Sequence, residues 1–193
     1  MNLVIIDYGA GNTKSVQFAL DRLGVHAVLS ADPQRIQAAD KVIFPGVGHA
    51  AAAMDTLKQS GVDQLIPSLK QPVLGICLGM QLMCERSEEG NTEGLGIFKG
   101  HVQAFDTSLK VPQIGWNAIR ELKGPLFKDV AEASYIYMVH SYYVPLSPDT
   151  IAVCDYGIPY SAALAHKNFY GTQFHPEKSS GVGAQILKNF IDL

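Results

Sequence analysis

The chain opens on an uninterrupted apolar run, Leu3-Val4-Ile5-Ile6, closed by Asp7 and the turn-forming Tyr8-Gly9-Ala10-Gly11. A continuous run, rather than an alternating one, is what a strand buried on both faces of a parallel sheet requires. Beyond it, Val16, Ala19, Leu20 and Leu23 recur at helical spacing, between a cap at Asn12 or Thr13 and a stop at Gly24. The unit then repeats. Residues 27–29 read as a second strand, and Asp32-Pro33 opens a short helix with proline in its first turn. Lys41-Val42-Ile43-Phe44 reads as a third strand, broken by Pro45-Gly46-Val47-Gly48. Helical segments follow over 49–59 and 61–70, then a fourth strand at Val73-Leu74-Gly75-Ile76 and a helix over 79–86. Strand–helix units of this length predict an α/β fold, a mostly parallel central sheet with helices on both faces.

After Gly90 the pattern changes. Segments 95–105, 111–121, 134–144, 151–156 and 169–174 read as strands, and only 125–130 and 182–191 as helices. The second half is therefore expected to be a strand-rich extension of the same sheet. The last helix turns Ala184, Ile186, Leu187, Phe190 and Ile191 towards the core. With no linker and no internal repeat, residues 1–193 read as one domain.

Composition narrows the function classes. At 193 residues, 47% hydrophobic and 17% charged, the chain has a real core and is neither disordered nor low in complexity. A net charge of −3 without a dense Lys/Arg run is a poor balance for binding nucleic acid. Three cysteines, Cys77, Cys84 and Cys154, without CxxC spacing fit neither a disulfide framework nor a metal site, and they point to a reducing compartment. The amino terminus meets an acidic residue after four apolar ones, and no window approaches eighteen apolar residues. The expected location is the cytoplasm, away from membranes.

The chemistry concentrates at Gly75-Ile76-Cys77-Leu78-Gly79, where a buried strand meets a helix. This is the spacing of a nucleophile elbow, with cysteine in place of serine. A sharp strand-to-helix turn strains the central residue, and the flanking glycines relieve the crowding. The turn lifts the sulfur over the carboxyl edge of the sheet, where the following helix aims its free N–H groups and favours thiolate. The N–H of Leu78 then faces an oxyanion on the attacked carbon. Alone, these five residues fit equally well a small buried cysteine between packing glycines.

A base is available in Phe174-His175-Pro176-Glu177. His175 ends an apolar strand, and Pro176 drives it into an extended conformation. Residues two apart in an extended segment point to one side, which brings the Glu177 carboxylate beside the imidazole to fix its tautomer. Alone, this segment also fits a solvated surface turn. Cys at an elbow together with His-x-Glu at a late strand end makes Cys/His/Glu acyl transfer the leading chemistry. Pro45-Gly46-Val47-Gly48 adds a loop whose glycines allow a second peptide N–H to turn towards the oxyanion. A stand-alone cysteine hydrolase and a silent binding protein on an elbow fold are the competing readings.

Gly-Ile-Cys-Leu-Gly-Met-Gln at 75–81 and Gln-Phe-His-Pro-Glu at 173–177 resemble the class I, or triad, glutamine amidotransferases. Asp7 to Asn12, Pro45 to Gly48, Ile114-Gly115-Trp116-Asn117, Val139-His140-Ser141-Tyr142 and Lys178-Ser179 narrow the resemblance, over nearly the whole chain, to the glutaminase subunits of imidazole glycerol phosphate synthases. The resemblance implies Cys77 as nucleophile, His175 as general base and acid, and Glu177 as its orienting partner. It implies oxyanion donors at Val47 and Leu78, and a glutamine pocket formed by Gly46, Gly48, Gln81, His140, Ser141 and Tyr142. It also implies no cofactor and no metal, and a heterodimer with a (βα)₈-barrel cyclase that takes up the ammonia, with Asn12, Trp116, Tyr137 and Lys178 at or near the interface. One departure is visible: Gln113 stands where the family often has histidine.

Overall fold

The computed structural model describes residues 1–9 and 11–193; Ala10, in the turn expected after the first strand, lies outside the described residues. In chain order the elements are β1 (Leu3–Ile6), α1 (Thr13–Arg22), β2 (Ala27–Ser30), α2 (Pro33–Gln37), β3 (Lys41–Gly46), α3 (Ala50–Ser60), α4 (Val62–Leu65), β4 (Val73–Cys77) and α5 (Leu78–Leu82). There follow β5 (Cys84–Ser87), β6 (Thr92–Glu93), β7 (Phe98–Ala104), β8 (Gln113–Arg120), β9 (Tyr135–His140), β10 (Tyr142–Tyr143), β11 (Thr150–Asp155), β12 (Pro159–His166), β13 (Phe169–Thr172) and α6 (Ser180–Ile191).

Nine strands form one sheet in the order β2-β1-β3-β4-β13-β12-β11-β8-β9. From β2 to β13 every pairing is parallel, and from β13 to β9 every pairing is antiparallel. The sheet is thus evenly mixed rather than mostly parallel. The parallel half behaves as its apolar runs require: all four residues of β1 and all five of β4 are buried. Side chains alternate between two cores. Leu3 and Ile5 pack with Val16, Leu20, Ile186 and Phe190 of α1 and α6 on one face. Val4 and Ile6 pack with Ile36, Met54, Leu57 and Met80 of α2, α3 and α5 on the other.

Several local expectations give way to tertiary pairing. The third strand is not broken at Pro45; it runs on to Gly46, which pairs with Cys77 at the end of β4. The helix expected over 79–86 stops at Leu82, because Cys84–Ser87 is captured as a strand beside β7. The helix expected over 125–130 is a single 3₁₀ turn, Pro125–Phe127, whose neighbouring carbonyls at Leu126 and Lys128 accept from the Asn189 amide at 2.9 and 2.7 Å instead of continuing a helix. The second half does not all extend one sheet. β7 and β10 join β5 and β6 in a separate four-stranded sheet, in the order β10-β7-β5-β6. The eight-residue strand β12, which no apolar run announces, lies between β13 and β11.

Candidate active site

Two strand ends meet at the centre of the large sheet. The register of β4 against β13 sets Ile76 opposite Thr172, so the chain leaving β13 passes beside Cys77. Cys77 has φ 54° and ψ −112°, a left-handed backbone that costs a non-glycine residue about 1–3 kcal/mol and that the surrounding packing must impose. The crowding behind the elbow is visible at two glycines. A β carbon on Gly79 would run into the Phe44 carbonyl oxygen, and one on Gly46 would sit 2.7 Å from the Gly79 nitrogen. Gly46 accordingly packs beneath the turn and does not line the cavity described below. Close packing of strand on elbow is what needs glycine there.

His175 is 2% exposed, and its Nδ1–H donates to Glu177 Oε1 at 2.7 Å. The His175 backbone is pinned on both sides, its N–H donating to the Tyr137 carbonyl at 3.1 Å and its carbonyl accepting from the Ser179 hydroxyl at 2.7 Å. With Nδ1 committed to the carboxylate, Nε2 is the nitrogen left for the sulfur. Burial opposes charge on this ring, but hydrogen bonds to Cys77 and Glu177, and their negative charges, outweigh it and raise the imidazole to about 9. The ring is therefore a strong base that holds a proton well.

Cys77, His175 and Lys178 open into a cavity of about 280 Å³, whose other walls include Val47, Gly48, Leu78, Gln81, His140, Ser141 and Tyr142. That is the small end of the ligand-pocket range, suited to an amino acid rather than a nucleotide. Leu78 opens α5, where its N–H has no acceptor within the helix, and Gly48 has φ 99°, a backbone that glycine tolerates. Gln81 is buried and gives its amide hydrogens to the Tyr142 carbonyl at 3.0 Å and to Gln173 Oε1 at 2.9 Å. His140 lines the cavity but offers it no ring nitrogen. Nδ1 is 2.7 Å from the Tyr142 carbonyl and Nε2 is 3.2 Å from the Tyr160 hydroxyl. Burial, with His175 nearby, lowers His140 to about 4, against the Tyr142 hydrogen bond that raises it. Both ring nitrogens of His140 are thus engaged within the protein.

Three groups escaped the sequence reading. Gln173, fully buried, places its amide nitrogen 3.9 Å from the Cys77 sulfur. Its signal was its place two residues before His175, in the quoted motif. Glu89 sets a carboxylate at the rim of the cavity, where it accepts from the Ala50 N–H at 2.7 Å. Only the folding of the 89–91 turn against α3 brings it there, which no local pattern encodes. Pro112, before the buried Gln113, closes the far side.

Of the residues expected at an interface, Trp116 and Lys178 share one cleft and Trp116 meets Tyr137. Lys178 is exposed and borders both the cavity and a second, larger cleft of about 540 Å³ that includes Trp116, Arg22 and Leu23. Trp116 is 50% exposed and meets the half-buried Tyr137 edge-on at 6.0 Å. Ile114 and Tyr135 beside them are also exposed. Asn12 is half-buried at the start of α1 and accepts from the Ser15 hydroxyl at 2.8 Å. Among the described residues no cluster of three or more His, Cys, Asp or Glu is placed to hold a metal, and no helix is long and apolar enough to cross a membrane.

Comparison with known proteins agrees with this geometry. The family model for class-I glutamine amidotransferases matches residues 4–193. The imidazole glycerol phosphate synthase subunit HisH of Bacteroides fragilis is 56% identical, with all of both chains covered. The subunit of the same name from Pasteurella multocida is 50% identical over 99% of this chain and 98% of its own. Among solved structures, PurLQS from Thermotoga maritima superposes with a TM-score of 0.74 at 16% identity, covering 99% of this chain and 97% of that one, a likeness of fold. The chain belongs to the class-I glutamine amidotransferase family, in company with the HisH subunits.

Proposed function

We propose that this protein is the glutaminase subunit of an imidazole glycerol phosphate synthase. In this role it hydrolyses glutamine and passes the ammonia to a cyclase subunit in histidine biosynthesis. The observation that carries the reading is the buried His175–Glu177 pair beside a cysteine with strained left-handed backbone, at the floor of an amino-acid-sized cavity.

The chemistry follows from those positions. His175 Nε2 takes the thiol proton, and the Cys77 thiolate attacks the side-chain carboxamide of glutamine. The oxyanion that forms is met by the N–H of Leu78 and by one from the Val47–Gly48 peptide segment; each such donor is worth about 10²–10³ in rate. Collapse expels ammonia as His175 returns the proton, leaving a γ-glutamyl thioester on Cys77. Water, deprotonated by the same imidazole, then releases glutamate. Glu177 holds the tautomer and stabilises the imidazolium without itself changing charge. Glu89 at the rim suits the α-ammonium group of glutamine, and the 81–142–173 amide network fixes the opposite wall.

Ammonia is largely protonated in water at neutral pH, and so lost as a nucleophile, which favours a sealed route into a partner. The exposed Trp116, Ile114, Tyr135 and Lys178 beside the site suit docking against a (βα)₈-barrel cyclase, with Asn12 and Tyr137 near the contact. One domain over residues 1–193 and a cytoplasmic setting accompany this reading. The test is co-purification with the barrel cyclase, followed by glutaminase assays with and without an acceptor analogue. Partner-dependent glutamine hydrolysis is expected. Fast hydrolysis of amides or peptides by the isolated chain, indifferent to the partner, would contradict it.

A further inference from the structure

Beneath the cavity wall, four polar groups form a chain whose hydrogen bonds follow from its fixed acceptor, the Tyr142 carbonyl. The Tyr142 carbonyl is only an acceptor, so the His140 Nδ1 at 2.7 Å must carry a proton. Burial keeps this ring neutral near pH 7. Its Nε2 is then bare, and the Tyr160 hydroxyl 3.2 Å away must donate to it. That commits the single Tyr160 proton. The Gln113 amide, 2.9 Å from the same hydroxyl, can therefore only donate to it. Its oxygen faces Tyr160 here while its nitrogen is buried without a partner; a half-turn of the amide gives the nitrogen an acceptor and leaves every proton in the chain accounted for.

We infer that Gln113 and Tyr160 are positioning residues for the glutamine pocket: by donating in sequence they hold the His140 ring through Nε2, and so pin the Tyr142 carbonyl to which Gln81 is also tied. The consequences reach the cavity directly. The Tyr142 carbonyl takes one hydrogen bond from His140 and one from Gln81, filling both lone pairs. Residues 140–142 and Gln81 form adjoining walls of the site. All members of the chain are buried or half-buried: Gln113 is 1% exposed, Tyr160 is fully buried and His140 is 6% exposed. Phe105 packs against both the His140 and Tyr160 rings, at centroid distances of 5.3 and 5.6 Å, and keeps them from exchanging partners. Register adds a mechanical link, because Gln113 pairs with His140 across β8 and β9. The residue before Gln113, Pro112, is itself a wall of the cavity. Gln113 therefore takes a position where a histidine would serve only with a ring N–H turned to Tyr160.

This inference rests on the cavity being the glutamine site, so its test reads the tautomer and the kinetics separately. Nitrogen NMR of the full chain with labelled histidine should show His140 as the Nδ1–H form in the wild type. In Tyr160→Phe the Nε2 signal should move to that of an imidazole nitrogen without a donor, and in Gln113→Leu it should move part of the way as the Tyr160 hydroxyl loses its own donor. In the complex with its cyclase, both variants should raise KM for glutamine about tenfold, as expected for a lost buried hydrogen bond, with kcat changed less. Gln113→His, which keeps a donor, should restore KM to within about threefold of the wild type. An Nε2–H tautomer in the wild type would overturn the inference, as would Tyr160→Phe and Gln113→Leu leaving both the Nε2 signal and KM unchanged. A wild-type complex with no glutaminase activity, but with the Nδ1–H tautomer present, would instead tell against the proposed function alone.

Discussion

The two halves of the large sheet divide the work. The parallel half, β2-β1-β3-β4-β13, carries the groups proposed to react: Cys77 at the end of β4 and His175 just past β13, with Val47 beyond β3. The antiparallel half, β12-β11-β8-β9, together with β10 of the small sheet, supplies the cavity wall at His140–Tyr142 and the exposed face around Trp116. Parallel strands end together at one carboxyl edge, so they can concentrate catalytic atoms there. Antiparallel strands are joined by local turns, so their loops can shape a pocket and a docking face without disturbing that edge.

Substitutions should separate the halves. Cys77→Ala is expected to abolish glutamine-dependent synthesis by at least about 10⁴-fold while sparing synthesis from added ammonium salts in the complex, because only the nucleophile is removed. His175→Ala should reduce glutamine-dependent turnover by about 10²–10⁴-fold. Glu177→Gln should cost less, since the base survives and only its orientation and charge stabilisation suffer; steady-state rates of the two variants decide this. Gly79→Ala should act on the fold of the parallel half, as its β carbon meets the Phe44 carbonyl, and lower stability by about 1–3 kcal/mol in urea titrations. An unchanged urea midpoint would show that the elbow relaxes more freely than its packing implies.

A further expected effect is on pH dependence, and there the halves have opposite signs. His175 is raised to about 9 in the fold, so its contribution to stability is complete below about 6.5 and lost as pH rises through 9. His140 is lowered to about 4, so its contribution is present above about 6.5 and lost as pH falls towards 4. Urea midpoints measured from pH 4 to 9 should decline at both ends, and His175→Ala should flatten the alkaline decline alone.

The same division governs what the sequence revealed. The parallel half was legible because its strands are buried on both faces and read as apolar runs, and because Asp32 caps α2 locally, accepting from the Gln34 N–H at 2.9 Å. Cys77, His175 and Glu177 were legible because turn chemistry and spacing two apart are local facts. In the antiparallel half, β12 escaped because Ser161-Ala162-Ala163-Leu164-Ala165 is small and of low strand propensity; its place is set by partners on both sides. The short β5 escaped because Leu82 and Met83 prolong a helical period that only pairing with β7 interrupts. The packing constraint at Gly46 was not legible for a related reason: it is a close approach of β3 to α5, which spacing along the chain does not carry.

Mass spectrometry of the complex, quenched during glutamine turnover and digested, tests the central claim most directly. A γ-glutamyl adduct on Cys77, accumulating in the wild type and absent in His175→Ala, is the predicted result. Turnover proceeding with Cys77 unmodified, or with the adduct on Cys84 or Cys154, would contradict it.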